Sequence, residues 1–294
     1  MIGVVWGLLG AGLIGVSDCI ARVTARRVSL ALLMGAIFGA GFLALLAWFA
    51  ATGAWPAWHP YGWAVAAGSG LLNLVALALL FLALARGPVT VASPAASSFT
   101  ILLVGINALA GHAFSWAQVL AAGIVFAGIF MLSRPGRAPV AGEAHDASWL
   151  RVTALLGLGA ALAVSLRMFF AQEASDALGP VETVFLTRGF AVAGVLAWIG
   201  WEFARRRPQR WPDRATWPLV LMQGALEIAA LGAFLFGSAG TGRVGAAIGF
   251  SAFPAVTAIA AWLWRREPVG ARRAFWMAVV AGGIVLAVLG RPEG

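Results

Sequence analysis

The chain has 294 residues, 62% of them hydrophobic and only 11% charged, with a mean hydropathy of +0.92. Soluble domains carry roughly 25% charged residues, so the composition excludes one and points to an integral membrane protein. The net charge of +9 rests on 20 basic residues that are all arginine. A lysine-bearing phosphate loop is therefore impossible. The arginines also sit between apolar segments, where lipid headgroups and topology account for them better than nucleic acid does.

The first apolar segment, about 2 to 20, contains Gly10-Ala11-Gly12-Leu13-Ile14-Gly15, the spelling of a dinucleotide-binding turn. No strand signal precedes it, and no acidic residue stands some 20 positions on to take a ribose. Gly3, Gly7, Ala11 and Gly15 recur every fourth residue instead. Such a stripe of small residues lets helix backbones approach closely in lipid. The segment has no basic leader and is expected to remain as a spanning helix. Cys19 is the one cysteine and has no internal partner for a disulfide.

A spanning helix needs about 20 apolar residues. Further candidates follow at about 30 to 52, 63 to 85, 91 to 110, 117 to 132, 150 to 172, 181 to 201, 217 to 236, 244 to 264 and 275 to 289. These long runs exclude a strand barrel, whose segments alternate over about ten residues. The expected fold is an all-α integral membrane protein with ten transmembrane helices.

Sixteen arginines fall on one side of this arrangement: Arg22, Arg26 and Arg27; Arg86; Arg134, Arg137 and Arg151; Arg205, Arg206, Arg207, Arg210 and Arg214; Arg265, Arg266, Arg272 and Arg273. The other side has Arg243 and Arg291, together with the interfacial cluster Trp55, Trp58, Tyr61 and Trp63. By the positive-inside rule both termini should face the periplasm of a bacterial inner membrane.

The chain is also internally duplicated. A shift of 155 lays residues 85–129 on 240–284 without a gap, matching Gly87 to Gly242, Val89 to Val244, Gly128 to Gly283 and Ile129 to Ile284. Five helices per copy is an odd number, so the second copy must enter the membrane inverted. The reversed arginine bias agrees: the loop after segment 2 has none, and its counterpart after segment 7 has five. The expected division is a first repeat at 1–135, a linker at 136–149 and a second repeat at 150–294. Inverted repeats are characteristic of secondary transporters, with the site near the midplane between them.

Residues 251–290, "SAFPAVTAIAAWLWRREPVGARRAFWMAVVAGGIVLAVLG", resemble the second-half signature of the drug/metabolite transporter superfamily in its ten-helix EamA form. They have a proline after small residues, the pair Glu267-Pro268 and a Gly-rich final helix. "FLTRGF", residues 185–190, is similar to the arginine-bearing seventh helix of that family, and the architecture looks most like its YddG-type amino-acid exporters. Two departures touch loop details: Ala110-Gly111-His112 stands where the family often has Gly-Glu, and Arg265-Arg266 replace small residues. The resemblance implies export of amino acids, aromatic and other neutral ones, by alternating access.

A charge in the hydrocarbon costs about 2.5–3.5 kcal/mol on insertion scales, so each one needs a reason. Asn73 lies midway along segment 3 and Glu227 midway along segment 8; the 155 shift puts Glu227 on Leu72, next to Asn73. Arg188, about two turns into segment 7, is within reach of Glu227. These two could be a structural ion pair, or Glu227 could face a cavity, answering a substrate ammonium or carrying a coupling proton. Asn73 could serve the cavity or simply bond between helices.

"SPAASSFT" (93–100) and "GFSAFPAV" (249–256) each put a proline and small hydroxyls inside an apolar run, where a missing backbone bond permits a bend. Pro94 and Pro254 are the expected hinges, and Ser97, Ser98, Phe99, Phe250, Ser251 and Phe253 the expected cavity lining, with ordinary kinked packing as the alternative. Arg167 and Asp18 sit near segment ends and are expected to snorkel. His59, His112 and His145 lack metal-ligand spacing and are expected to face solvent.

No cofactor or metal is implied. The expected partners are a small-molecule substrate, an amino acid, and membrane lipid, and a monomer suffices because the repeat completes one pathway. Rival readings are an exporter of a nucleobase, sugar derivative or cationic dye, and a membrane enzyme, which would need convergent catalytic groups that the sequence does not show.

Overall fold

The computed structural model describes residues 2–86, 95, 98–133, 147–253, 256 and 271–290. Pro94, Ser97, Pro254 and the Glu267-Pro268 pair lie outside the described residues, as do residues 136–146 of the expected linker 136–149, whose last three residues are helical.

Among the described residues there are ten α-helices and no strand. They are α1 (Ile2–Arg27), α2 (Leu30–Thr52), α3 (Pro60–Arg86), α4 (Phe99–Leu109), α5 (Trp116–Ser133), α6 (Ala147–Leu178), α7 (Pro180–Ala204), α8 (Trp217–Gly237), α9 (Arg243–Phe250) and α10 (Ala271–Leu289), with a 3-10 turn at Gly240–Gly242. Each falls on one of the ten apolar segments. Six are long and apolar enough to span a bilayer, and α4, α5 and α10 contain shorter apolar stretches.

Helix ends follow local chemistry. Gly53 stops α2 with φ 69°, its N–H donating to the Phe49 carbonyl at 2.9 Å, a left-handed closure that glycine adopts without strain. Gly179, at φ 100°, turns the chain between α6 and α7, and Pro180 opens α7 where no N–H is missed. Two helices outrun their apolar segments. Helix α1 continues seven residues beyond Ile20, and α6 continues six beyond Gln172. Apolarity marks where lipid must be, whereas Ala, Arg, Gln and Glu keep a helix going past that point.

The two repeats are inverted, as the neighbours of each helix show. Gly3 meets Gly237, Gly10 meets Ala230, and the Thr24 hydroxyl donates to Gln223 Oε1 at 3.2 Å, so α1 and α8 run antiparallel. The second repeat answers with α6 on α3: Gly62 meets Leu178, and the Ser69 hydroxyl donates to the Arg167 carbonyl at 2.9 Å. These pairings form the most extensive interhelical interfaces, and each crosses between repeats. Helix α3 lies parallel to α7, with Gly70 at Thr187 and Leu74 at Gly194, and α7 is antiparallel to α2, with Gly35 at Ile199 and Phe42 at Gly189. Helix α2 is parallel to α8, and α8 is antiparallel to α1. Hence α3 runs with α1, and α6 against it.

Helices α5 and α10 make the symmetry explicit. Gly128 packs on Val280 and Gly283 packs on Val125, two contacts that the shift of 155 carries into one another.

The small-residue stripe of α1 lies where α8 and α9 arrive. A Cβ on Gly7 would strike the Ala246 carbonyl, and one on Gly249 the Val4 carbonyl. Elsewhere the bundle turns apolar side chains outward: Leu43, Leu82, Leu120, Leu155, Leu196 and Val285, on six different helices, are all largely exposed. Such a contiguous surface suits acyl chains. Trp55, Trp58, Trp116 and Trp217 stand exposed near helix ends, where a membrane interface anchors them.

The close approach of α1 to α9 is testable. Gly7→Leu and Gly249→Leu should each lower the melting temperature in detergent, by about 1–3 kcal/mol of overpacking or more. Gly12→Ala, which points into open space, should leave it unchanged within about 0.5 kcal/mol. Scanning fluorimetry of the three variants makes the comparison.

Candidate functional site

Four helices converge on a small polar cavity. Helix α3 supplies Ser69, Gly70 and Asn73, α6 supplies Arg167, α7 supplies Thr187, Arg188 and Ala191, and α8 supplies Leu231. The first repeat thus faces the second across it. Its volume is about 10 Å³, room for one water. The Thr187 hydroxyl donates back to the carbonyls of Thr183 (2.8 Å) and Val184 (3.0 Å). With Ser69 bonded to Arg167's backbone, the polar groups left to face the cavity are the Asn73 amide and two guanidiniums.

Arg188 and Glu227 meet directly. Arg188 Nη1 donates to Glu227 Oε2 at 3.1 Å, with the arginine side chain 4% and the glutamate side chain 21% exposed. The guanidinium also lies over the Phe38 ring, 4.9 Å from its centroid, a favourable placement for a desolvated cation. Its Nε is buried and has no hydrogen-bond partner. The pair joins α7 to α8, and the carboxylate remains partly open.

Arg167 differs from the sequence expectation. Because α6 runs to Leu178, Arg167 lies 11 residues inside its end, about 16 Å at 1.5 Å per residue. It therefore does not snorkel to an interface; it lines the cavity with Arg188 and Asn73. Asp18 is likewise interior to α1, nine residues from Arg27.

The expected lining of α4 and α9 lies apart from this cavity. Phe99, Phe250 and Ser251 are buried. The Ser251 hydroxyl donates to Ile248's carbonyl at 2.7 Å, and the Ser98 hydroxyl to that of Ala95. Phe253 makes tilted ring contacts with Phe99 (5.9 Å) and Phe250 (6.2 Å), and Phe250 meets Phe234 edge-on at 5.2 Å, which makes an aromatic seam between α4, α8 and α9. An apolar groove of about 520 Å³ runs along the packed pair α2 and α8, walled by Ala40, Gly41, Trp48, Leu221, Ala225 and Ile228 among others.

A second polar system, toward the arginine-poor end, escaped the sequence reading. Gln172 is fully buried: its amide donates to the Ser238 hydroxyl (3.0 Å) and the Arg243 carbonyl (3.3 Å), and its oxygen accepts from Asn107 Nδ2 (3.1 Å). One turn on, buried Arg243 donates to Glu173 Oε1 at 2.6 Å and to Asp176 Oδ2 at 2.5 Å, while the Tyr61 hydroxyl donates to Glu173 Oε2 at 2.7 Å.

His112 corrects its expectation too. Its Nε2 lies 2.8 Å from Arg243 Nη1 and 3.2 Å from Glu173 Oε1, so it sits inside this cluster rather than in solvent. One ring nitrogen can accept from the arginine or donate to the carboxylate, not both at once. His59 caps locally, its Nδ1 accepting from the Gly62 N–H at 3.0 Å; His145 lies outside the described residues. The cluster ties α3, α6, the α4–α5 connection and α9 together at that end of the bundle. The signal for it was the run Gln172-Glu173-Ala174-Ser175-Asp176, which reads as a loop once apolarity is taken to end the helix.

Comparison with known proteins agrees with the architecture. The model of the EamA-like transporter family matches residues 1–134 and 151–289, one match for each repeat. A solved crystal structure has the same fold, with a TM-score of 0.78 over 98% of this chain and 96% of its own, at 20% sequence identity. No curated protein matches the sequence.

Removing one partner of a buried ion pair strands the other charge, at about 3–5 kcal/mol. Glu227→Gln and Arg188→Gln should each approach the lower figure, since the carboxylate is partly open. The double replacement Arg188→Leu/Glu227→Leu should recover most of the loss in melting temperature, because no buried charge is left over. Thermal unfolding in detergent, measured on all three, reads the outcome.

Proposed function

The chain belongs to the EamA-like transporter family and is a multi-pass membrane transporter of small molecules, not an enzyme; on that premise we propose that it exports amino acids, aromatic and other neutral ones, across a bacterial inner membrane by alternating access. The observation that carries this reading is the polar cavity shared by α3 of one repeat and α6, α7 and α8 of the other. Transport requires a site that both repeats can reach, and rocking of one inverted repeat against the other exposes such a site to each face in turn. A cavity this small corresponds to a state closed around the site, and cargo enters when the repeats part.

Roles follow from position. Asn73 and Arg188 are the cavity's polar wall. Glu227 holds Arg188 and modulates its charge. The aromatic seam of Phe99, Phe250 and Phe253, with Ser98 and Ser251, lies where α4 and α9 separate as the pathway opens; the lining role of Ser97 and the hinge roles of Pro94 and Pro254 fall on residues outside the described ones. The Arg243–Glu173–Asp176–His112 cluster closes the arginine-poor mouth. An apolar surround discriminates one methylene by only about 1–3 kcal/mol, so selectivity among amino acids should be broad. The arginine-rich end faces the cytoplasm, both termini face the periplasm, and a monomer contains the whole pathway.

Counterflow in proteoliposomes against a panel of labelled amino acids, with and without a pH gradient, tests the cargo. Phenylalanine and other neutral amino acids should exchange, and cationic dyes should not. A C-terminal reporter that fluoresces only in the cytoplasm should stay dark; a bright signal reverses the assigned orientation.

A further inference from the structure

The charges around the cavity do not balance. Two guanidiniums, Arg167 and Arg188, line it, and the nearby carboxylate, Glu227, accepts its hydrogen bond from Arg188. Among the described residues no carboxylate, carbonyl or hydroxyl accepts from the Arg167 side chain, and none pairs with the Asn73 amide. Asn73 stands midway along α3 and Arg167 about 16 Å from the end of α6. A cation at that depth is expensive, and its partner has to be named.

We propose that the partner is the cargo's own carboxylate: Arg167 anchors it, and the Asn73 amide is the second donor. This rests on the reading of the cavity as the transport site. A guanidinium presents parallel N–H donors that match the two oxygens of a carboxylate, and such charge-assisted bidentate bonds are about twice as strong as neutral ones. An anion brought to Arg167 neutralises the surplus positive charge, so occupied and empty states differ strongly in electrostatic energy. The cavity holds about one water and must widen to accept a carboxylate. Binding therefore favours the widened state by the differential affinity of the two.

The proposal also ranks the cargo's two charges. Glu227 already accepts from Arg188 through one oxygen and is largely neutralised by it, so an α-ammonium gains less here than a carboxylate gains from Arg167. A molecule keeping the carboxylate and lacking the ammonium should still bind; one keeping the ammonium and lacking the carboxylate should not.

Three probes separate these cases: L-phenylalanine, 3-phenylpropionate, which lacks the ammonium, and L-phenylalaninamide, which lacks the carboxylate. Each competes against labelled phenylalanine in proteoliposome counterflow. With the wild-type protein, 3-phenylpropionate should compete within a few-fold of phenylalanine, and the amide at least about tenfold less well. Arg167→Gln should erase that preference, and Arg167→Lys should retain part of it. An amide that competes as well as phenylalanine, or a preference that survives Arg167→Gln, overturns the anchor. Should Arg167→Gln fail to fold, the wild-type series with Arg167→Lys still decides.

Thermal stabilisation in detergent by 3-phenylpropionate, measured on wild type and Arg167→Lys, keeps the two readings apart. Stabilisation of the wild type that weakens in Arg167→Lys, in a protein that carries no amino acid, leaves the anchor standing and removes the exporter reading. Amino-acid transport indifferent to the carboxylate leaves the exporter and removes the anchor.

Discussion

Hydrocarbon offers no hydrogen bonds, so every polar group this bundle carries into the bilayer has to be answered by another part of the bundle. Most are. Gln172 of α6 is held by Asn107 of α4, Ser238 of α8 and the backbone of Arg243; Arg243 is held by Glu173 and Asp176; Arg188 by Glu227; Gln223 of α8 by Thr24 of α1. Two of these links, Gln172 to Asn107 and Gln223 to Thr24, cross from one repeat to the other. In lipid, where apolar contact supplies no net drive between helices, they and close backbone packing decide which helices associate.

Close packing accounts for the rest of the architecture. Glycines on α1, α8 and α9 bring three backbones within touching distance at the arginine-poor end, beside the Arg243 cluster. That end is doubly secured, by shape and by charge. The polar cavity lies deeper, between α3 and the helices α6 to α8, and there the answering of polar groups is incomplete: Arg167 and Asn73 have no partner within the described chain. A transporter has to keep some of its binding capacity uncommitted until cargo arrives, and an uncommitted group can persist in lipid only inside a cavity.

The number of helices, their order and the duplication were legible in sequence because each leaves a local trace. An apolar run is long enough to span or it is not, and Gly128 and Gly283 or Val125 and Val280 occupy equivalent positions along the chain. The inversion was legible from the arginines, whose placement reflects the membrane rather than the packing. Glu227, Arg188 and Asn73 could be singled out because a polar residue midway along an apolar run is conspicuous.

Arg167 was placed too shallow and the Gln172–Asp176 run passed over for one reason: α6 continues as helix beyond its apolar stretch, and depth depends on where the helix ends. His112 looked like a solvent-facing residue because nothing in its neighbourhood along the chain announces Arg243, 131 positions away. By itself the sequence determined a ten-helix inverted duplication in a membrane, since hydropathy, periodicity and charge bias are properties of segments. Which charges face one another, and which has no partner among the described residues, was decided only by the tertiary structure, because partnership depends on the packing of segments far apart in the chain.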